Sequence, residues 1–152
     1  MMMQVTISQE QIKDIAQELD GGMKCFYHIS TSEVKSYPDE LRDHGGFEEE
    51  FWEDIIKQVE SSPDEFVAFQ SLESFESFRV METFINNIEE VKIQHQFLDT
   101  IQLKKPFQQF KYLLADYPAL REQWFDFKNL HLVEYVQQQL KSYNSLHNPE
   151  KD

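Results

Sequence analysis

The 152-residue chain carries 28 Asp+Glu against 14 Lys+Arg, and its net charge of −14 makes the chain as a whole a poor candidate for nonspecific binding to duplex DNA or anionic lipid, while leaving room for a local basic patch. A 14% aromatic content, led by 13 Phe, excludes a disordered chain and is enough for one compact domain with its own core. The single cysteine, Cys25, excludes an intrachain disulfide and points to a reducing compartment.

Ser8-Gln9-Glu10-Gln11 predicts a helix start, with Ser8 as N-cap and Gln11 at N3 of a capping box. Ile12, Ile15, Ala16 and Leu19 then recur at helical spacing until Gly21-Gly22. Met23 to Ile29, the turn-like Ser30-Thr31-Ser32 and Glu33 to Tyr37 predict a hairpin closed by Pro38. His44-Gly45-Gly46 reads as a loop. Phe47 to Glu60 reads as a second amphipathic helix with Phe51, Trp52, Ile55, Ile56 and Val59 inside, ended by Ser61-Ser62-Pro63-Asp64. Glu65 to Gln70 is a short strand, a candidate third partner for the hairpin.

A core helix follows from about Glu73 to Ile88. Phe78, Val80, Met81, Phe84, Ile85 and Ile88 fall in one arc, and Glu76, Arg79, Thr83 and Asn86 fall opposite. A further helix covers roughly Glu90 to Leu103, with Ile93, Phe97, Leu98 and Ile101 as its apolar positions. Pro106 sits where the first residue of the next helix belongs, and Phe107, Phe110, Leu113 and Leu114 form that helix's stripe until Tyr117-Pro118. The last helix, about Ala119 to Lys141, carries two stripes: Leu120, Trp124, Phe127, His131 and Tyr135, and on the opposite side Phe125, Leu132, Val136 and Leu140. Three explanations are open: a break near Asn129, a helix sandwiched inside the fold, or a stripe that meets another chain. The expected organisation is a single compact domain over 1–146 and a frayed tail at 147–152.

Charge is uneven along the chain. Residues 1–91 hold 6 Lys+Arg against 21 Asp+Glu, a net −15, and residues 92–152 hold 8 against 7, a net +1. No local motif supplies catalytic chemistry. The four glycines stand in two pairs, neither of which continues as a phosphate-binding loop, and one cysteine cannot build a zinc knuckle. Cys25 and His28, three apart on a strand, point to opposite faces, so they form no dyad, and Cys25 reads as a buried structural thiol. His131 lies on an aromatic stripe and reads as a packing residue. No catalytic residue, metal ligand or cofactor is assigned.

Glu10, Asp14 and Glu18 are spaced to line one face of the first helix, and Glu49 with Glu53 repeats that spacing in the second. A solvated face is the ordinary reading of such carboxylates; a surface for a basic partner is the functional one. Arg79 lies three residues from both Glu76 and Glu82, which predicts intrahelical ion pairing, with Arg79 and Glu82 kept as part of the candidate surface. Lys104, Lys105, Lys111, Arg121 and Lys128 make a candidate basic patch around the aromatic helix start at Phe107 and Phe110.

Three blocks carry a resemblance: Phe78-Arg79-Val80-Met81-Glu82-Thr83-Phe84-Ile85, then Phe107-Gln108-Gln109-Phe110-Lys111, then Trp124-Phe125-Asp126-Phe127. In order and spacing the chain resembles the bacterial uncharacterised protein family 0158. A glycine-containing basic stretch commonly precedes the second block in that family, where Leu103-Lys104-Lys105-Pro106 stands here, and Gln108 and Gln109 replace arginines. The resemblance implies no accepted activity, substrate or catalytic residue.

The expected fold is α+β: a mainly helical chain with a small antiparallel sheet from its N-terminal half. With no apolar run long enough to span a bilayer and no basic or apolar signal region at Met1 to Ser8, the expected location is the cytoplasm and no membrane partner is expected. The leading functional expectation is a protein-interaction or regulatory module whose acidic half faces a basic protein. The alternatives are nucleic-acid binding through the basic patch and a small carboxylate-dependent hydrolase or metal enzyme. A homodimer through the last helix is a further expectation.

Overall fold

A computed structural model describes residues 4–39 and 49–147. Its elements, in chain order, are α1 (Gln9–Asp20), β1 (Met23–His28), β2 (Val34–Pro38), α2 (Glu49–Ser61), one 3-10 turn (Pro63–Glu65), β3 (Phe66–Phe69), α3 (Ser74–Asn86), α4 (Val91–Thr100), α5 (Pro106–Leu114) and α6 (Pro118–His147). The fold is mainly helical α+β with a three-stranded antiparallel sheet, ordered β2-β1-β3. The chain divides into two compact units, Met1–Ser71 with Leu132–Asp152, and Leu72–His131. The boundary at 131/132 falls inside α6.

In the first unit, β1 pairs with β2 across the Ser30-Thr31-Ser32 turn and with β3 on its other side, Cys25 opposite Phe69 and Tyr27 opposite Val67. Alternation of side chains then gives the sheet two buried faces. On one face Cys25 and Tyr27 meet α1 and the segment before it: the Cys25 thiol lies 3.9 Å from the Ile15 carbonyl, and the Tyr27 hydroxyl donates to the Thr6 carbonyl at 3.4 Å. On the other, Tyr37, Phe66 and Val59 form a cluster with Phe26, Trp52, Ile55 and Ile56, which brings the apolar stripe of α2 onto the strands. Phe26 stacks on Tyr37 at 5.3 Å and meets Phe66 edge-on at 6.5 Å.

Ser8 caps α1 as its sequence predicts, its hydroxyl accepting from the Gln11 N–H at 3.2 Å. The reciprocal half of the capping box is replaced: the Gln11 amide donates to the Ser32 carbonyl at 2.7 Å, which ties the helix start to the hairpin turn. Gly22, at φ 89, occupies the left-handed region after the helix, so the stop signal acts at the second glycine of the pair. Two carboxamides on the last part of α6 clasp backbone of the same unit, exposed at Gln70 and half-buried at Val5. Gln139 bonds both the N–H and C=O of Gln70, at 2.9 and 3.1 Å, and Asn144 does the same to Val5, at 2.9 and 3.0 Å.

The second unit is all helix, built on α3, α4, α5 and the first part of α6. Met81, Phe84, Ile85, Ile88, Phe97, Ile101, Phe110 and Leu114 are its buried core. Rings dominate it: Phe84 and Phe110 each meet Trp124, at 5.3 and 5.0 Å between centroids, Phe84 meets Phe127 at 5.5 Å, and Phe97 meets Phe110 at 5.5 Å. Such offset and edge-on pairs add about 0.5–1.5 kcal/mol each to their area burial.

α3 ends at Asn86, two residues short of the expected Ile88, and two further helix ends differ from expectation by more. α4 ends at Thr100 rather than near Leu103, because Ile101 is the last residue with core to bury and Leu103 is 55% exposed. α6 is unbroken for 30 residues and reaches His147, so Asn129 marks no break and the expected tail start at His147 is helical; residues 148–152 lie outside the described residues. Its two stripes have a physical reason. Leu120, Trp124 and Phe127 pack on the helical unit's core, whereas the buried Leu132 and Val136 belong to the sheet unit. The loop expected at His44-Gly45-Gly46 lies outside the described residues.

Candidate functional site

The acidic face begins with the buried stripe of α1. Because Ile12, Ile15, Ala16 and Leu19 turn inward, Glu10, Asp14 and Glu18 are left exposed on the opposite side. No ion pair engages any of the three among the described residues. In α2 the arrangement is different. Glu53 pairs with Lys57 at 3.0 Å, and that hydrogen bond and charge raise the Lys57 pKa. Glu49 opens α2, and its side chain lies outside the described residues. Glu82, half-buried, and Arg79, exposed, stand on α3 in the other unit, so the seven candidate residues are split between two bodies. The ion pairing expected of Arg79 does not form. Glu76 turns back to accept from the Glu73 N–H at 3.4 Å, closing the start of α3, and neither it nor Glu82 pairs with Arg79.

Cys25 and His28 point to opposite faces of the sheet, as their spacing requires. Burial, with the charge of Glu18 adding to it, pushes the Cys25 thiol from 9.0 up to about 12, so it stays protonated and inert. His28 has partners that sequence spacing does not reveal. Its Nε2 lies 3.0 Å from a Glu65 carboxylate oxygen, Nδ1 accepts from the Thr31 N–H at 3.2 Å, and the ring meets Phe66 edge-on at 4.8 Å. The Thr31 bond fixes the tautomer with hydrogen on Nε2, and the histidine acts as a buttress of the hairpin turn.

The basic residues gather on the helical unit. Lys104 and Lys105 are exposed in the turn before α5, with Lys105 at φ 55 and Pro106 starting the helix. Lys111 and Arg121, both exposed, line a shallow groove of about 460 Å³ with Gln108, Tyr112, Ala115 and Pro118. Tyr112 is 61% exposed, and its hydroxyl accepts from the Gln108 amide at 2.8 Å. The Arg121 guanidinium lies 5.0 Å from the ring centre of Phe125, and the Lys128 ammonium lies 5.4 Å from the same ring and 5.9 Å from that of Trp124. The structure thus brings Lys111 and Arg121 together around exposed aromatic surface, a role for Tyr112 that spacing alone did not signal.

Residues 45–149 match the family model described as an uncharacterised protein family, UPF0158. The chain belongs to that family. Among its relatives is UPF0158 protein PA5073 of Pseudomonas aeruginosa, 28% identical over 78 residues, 51% of each chain. UPF0158 proteins of Chlamydia trachomatis and Chlamydia muridarum are 26% and 25% identical over 87 residues, covering 54% of this chain and 26% of theirs. The chain therefore spans about half the length of the first of these relatives and about a quarter of the other two. No solved structure matches. The UPF0158 match takes in α2 through α6 and leaves α1 and the hairpin outside it. The three blocks that carry the family resemblance converge in one place: Phe84 meets Phe110, Trp124 and Phe127, and Trp124 meets both Phe110 and Phe127. What marks this UPF0158 chain at sequence level is packing rather than chemistry.

Carboxylates also line an open cleft of about 590 Å³ in the helical unit, where Glu89, Glu90 and Asp116 stand beside Asn87, Tyr117 and Gln123. Glu90 is spent on capping α4, accepting from the Lys92 N–H at 3.1 Å. Among the described residues no three His, Cys, Asp or Glu side chains are grouped to hold a metal ion. No helix among the described residues is long and apolar enough to cross a membrane. The second stripe of α6 does not form a continuous open face: Leu132 and Val136 are buried, Leu140 is half-buried, and Phe125 lies beside two cations.

Proposed function

We propose that this chain is a protein-interaction module, acting in the cytoplasm, whose acidic sheet unit docks on a basic partner protein. The observation that carries the reading is the face of Glu10, Asp14 and Glu18, exposed and without ion pairs among the described residues. It belongs to a unit with 19 Asp+Glu against 7 Lys+Arg, a net −12. Like charges one turn apart cost a helix a few tenths of a kcal/mol per pair, and a partner's Lys or Arg side chains would relieve that cost. Charges of this kind govern encounter rate and salt dependence more than final affinity. A lone buried thiol is compatible with a reducing compartment.

The test is capture with the wild-type chain and with Glu10→Gln/Asp14→Asn/Glu18→Gln, at low and at physiological salt. One basic protein recovered reproducibly with the wild type, and lost both on neutralising α1 and on adding salt, is the expected result. Recovery that ignores the triple substitution, or no partner at low salt, sinks the proposal.

A further inference from the structure

We infer that the groove between α5 and α6 is a foothold for single-stranded nucleic acid, with Lys111 and Arg121 on phosphates and Tyr112 as a stacking platform. The inference goes beyond the acidic-face reading and rests on different residues in a different unit.

The argument begins with what α5 does with its two sides. Phe110 and Leu114 are buried in the aromatic core, so Lys111 and Tyr112 are left outside. A tyrosine ring 61% exposed has apolar surface that water wets poorly, and the Gln108 amide one turn earlier donates to its hydroxyl, a weak bond that biases the ring's orientation. An open aromatic face can take a stacked planar group, and every base has such a face. Lys111 and Arg121 stand in the same groove, and Pro118, the first residue of α6, completes its wall. Phe125, 40% exposed with the Arg121 guanidinium 5.0 Å from its ring centre, extends the combination of cation and aromatic along α6.

This chemistry favours single strands over the other polyanions. A duplex hides its base faces, and contact with its backbone calls for a broad basic surface, whereas the helical unit has 7 Lys+Arg against 9 Asp+Glu. An acidic peptide would use the cations but leave Tyr112 without a stacking partner. A local pair of cations beside an exposed ring, in an otherwise acidic chain, fits a ligand that offers phosphate and base together.

The experiment is fluorescence anisotropy at low salt with a short oligouridylate and an oligothymidylate, set against a duplex of equal length, heparin and polyglutamate. Both single strands are expected to bind, more tightly than the duplex. Tyr112→Ala should weaken single strands roughly tenfold while leaving heparin unchanged, and Tyr112→Phe, which keeps the ring, should retain most of the affinity. Lys111→Gln with Arg121→Gln should lower the slope of log affinity against log salt by about 1.4. All of these positions are exposed, and unchanged far-UV circular dichroism will confirm folding. Neutralising Glu10, Asp14 and Glu18 should not weaken oligonucleotide binding, so the two readings fail separately. The inference is overturned by no single-strand binding at low salt, by affinity indifferent to Tyr112→Ala, or by polyglutamate competing as well as the oligonucleotides.

Discussion

The sheet unit and the helical unit solve the same problem, burying apolar surface in a polar chain, with different materials. The sheet unit sets Ile12, Ile15, Leu19, Val67 and Phe69 around strands whose two faces are both covered. It carries 19 Asp+Glu against 7 Lys+Arg. The helical unit packs Phe84, Phe97, Phe110, Trp124 and Phe127 against one another and carries 9 Asp+Glu against 7 Lys+Arg. Counted along the sequence, charge changes after residue 91, at the first residue of α4. Counted by unit, the acidity belongs to the sheet and its returning helix end, and the basic–aromatic surface belongs to the helices. The linear count, −15 against +1, separates charge more sharply than the count by unit, −12 against −2, because α3 and the turn after it bring Glu73, Glu76, Glu82, Glu89 and Glu90 into the helical unit.

The strongest way to probe the contrast is to open a hole in the ring cluster. Phe97 is fully buried, and Phe97→Ala should cost about 3–5 kcal/mol in chemical denaturation. A loss below ~1 kcal/mol would mean that the rings repack freely and that the helical core is not the jigsaw its geometry describes.

The second probe addresses the sheet unit through pH. The Cys25 pKa is raised on folding, from 9.0 to about 12, so its contribution is fully present below pH 9. Between pH 9 and about 12 the unfolded chain loses the proton while the folded one keeps it, and stability should fall by up to about 1.4 kcal/mol per pH unit from this group. Urea titrations of wild type and Cys25→Ala across that range give the difference. Parallel curves would show that the thiol ionises in the folded chain near its ordinary value.

Smaller effects test the clasps. Asn144→Ala removes two bonds to Val5, and at ~0.5–1.5 kcal/mol each it should cost roughly 1–3 kcal/mol and speed hydrogen exchange at the Val5 amide. Unchanged exchange there would show that the clasp does not hold the N-terminal segment. Ser8→Ala should cost about 1 kcal/mol through the lost N-cap, read as a shift in the denaturation midpoint. A neutral outcome would mean that the Gln11–Ser32 bond secures the start of α1 by itself.

Much of this fold was legible because local signals and burial agree. The strand character of Met23 to Ile29, the turn at Ser30-Thr31-Ser32 and the short run before Gln70 each meet a partner strand, so all three strands stand where their composition puts them. Pro106 opens α5 for the reason its missing N–H suggests. Less legible was whatever depends on a distant partner. Tyr143 and Asn144 continue no apolar stripe, so α6 was expected to end near Lys141, whereas Asn144 is held by Val5. Gln11 fits a capping box and instead reaches Ser32, and Glu76 fits a pair with Arg79 and instead closes its own helix start. For the candidate surfaces, periodicity placed Glu10, Asp14 and Glu18 on one exposed face. It grouped them with Glu82 and Arg79, which belong to another unit, and with Glu53, which is occupied by Lys57. Tyr112 reads as one more aromatic in an aromatic helix until its exposure is known.

Because Cys25 is the chain's sole cysteine and is fully buried against α1, it is also a built-in chronometer. A thiol reagent in excess can reach it only when the α1–β1 layer parts, so the native protein consumes reagent at a rate set by how often that layer opens. Dividing this rate by that of the unfolded chain gives the opening equilibrium constant, and hence the opening free energy, of one part of the molecule without any substitution.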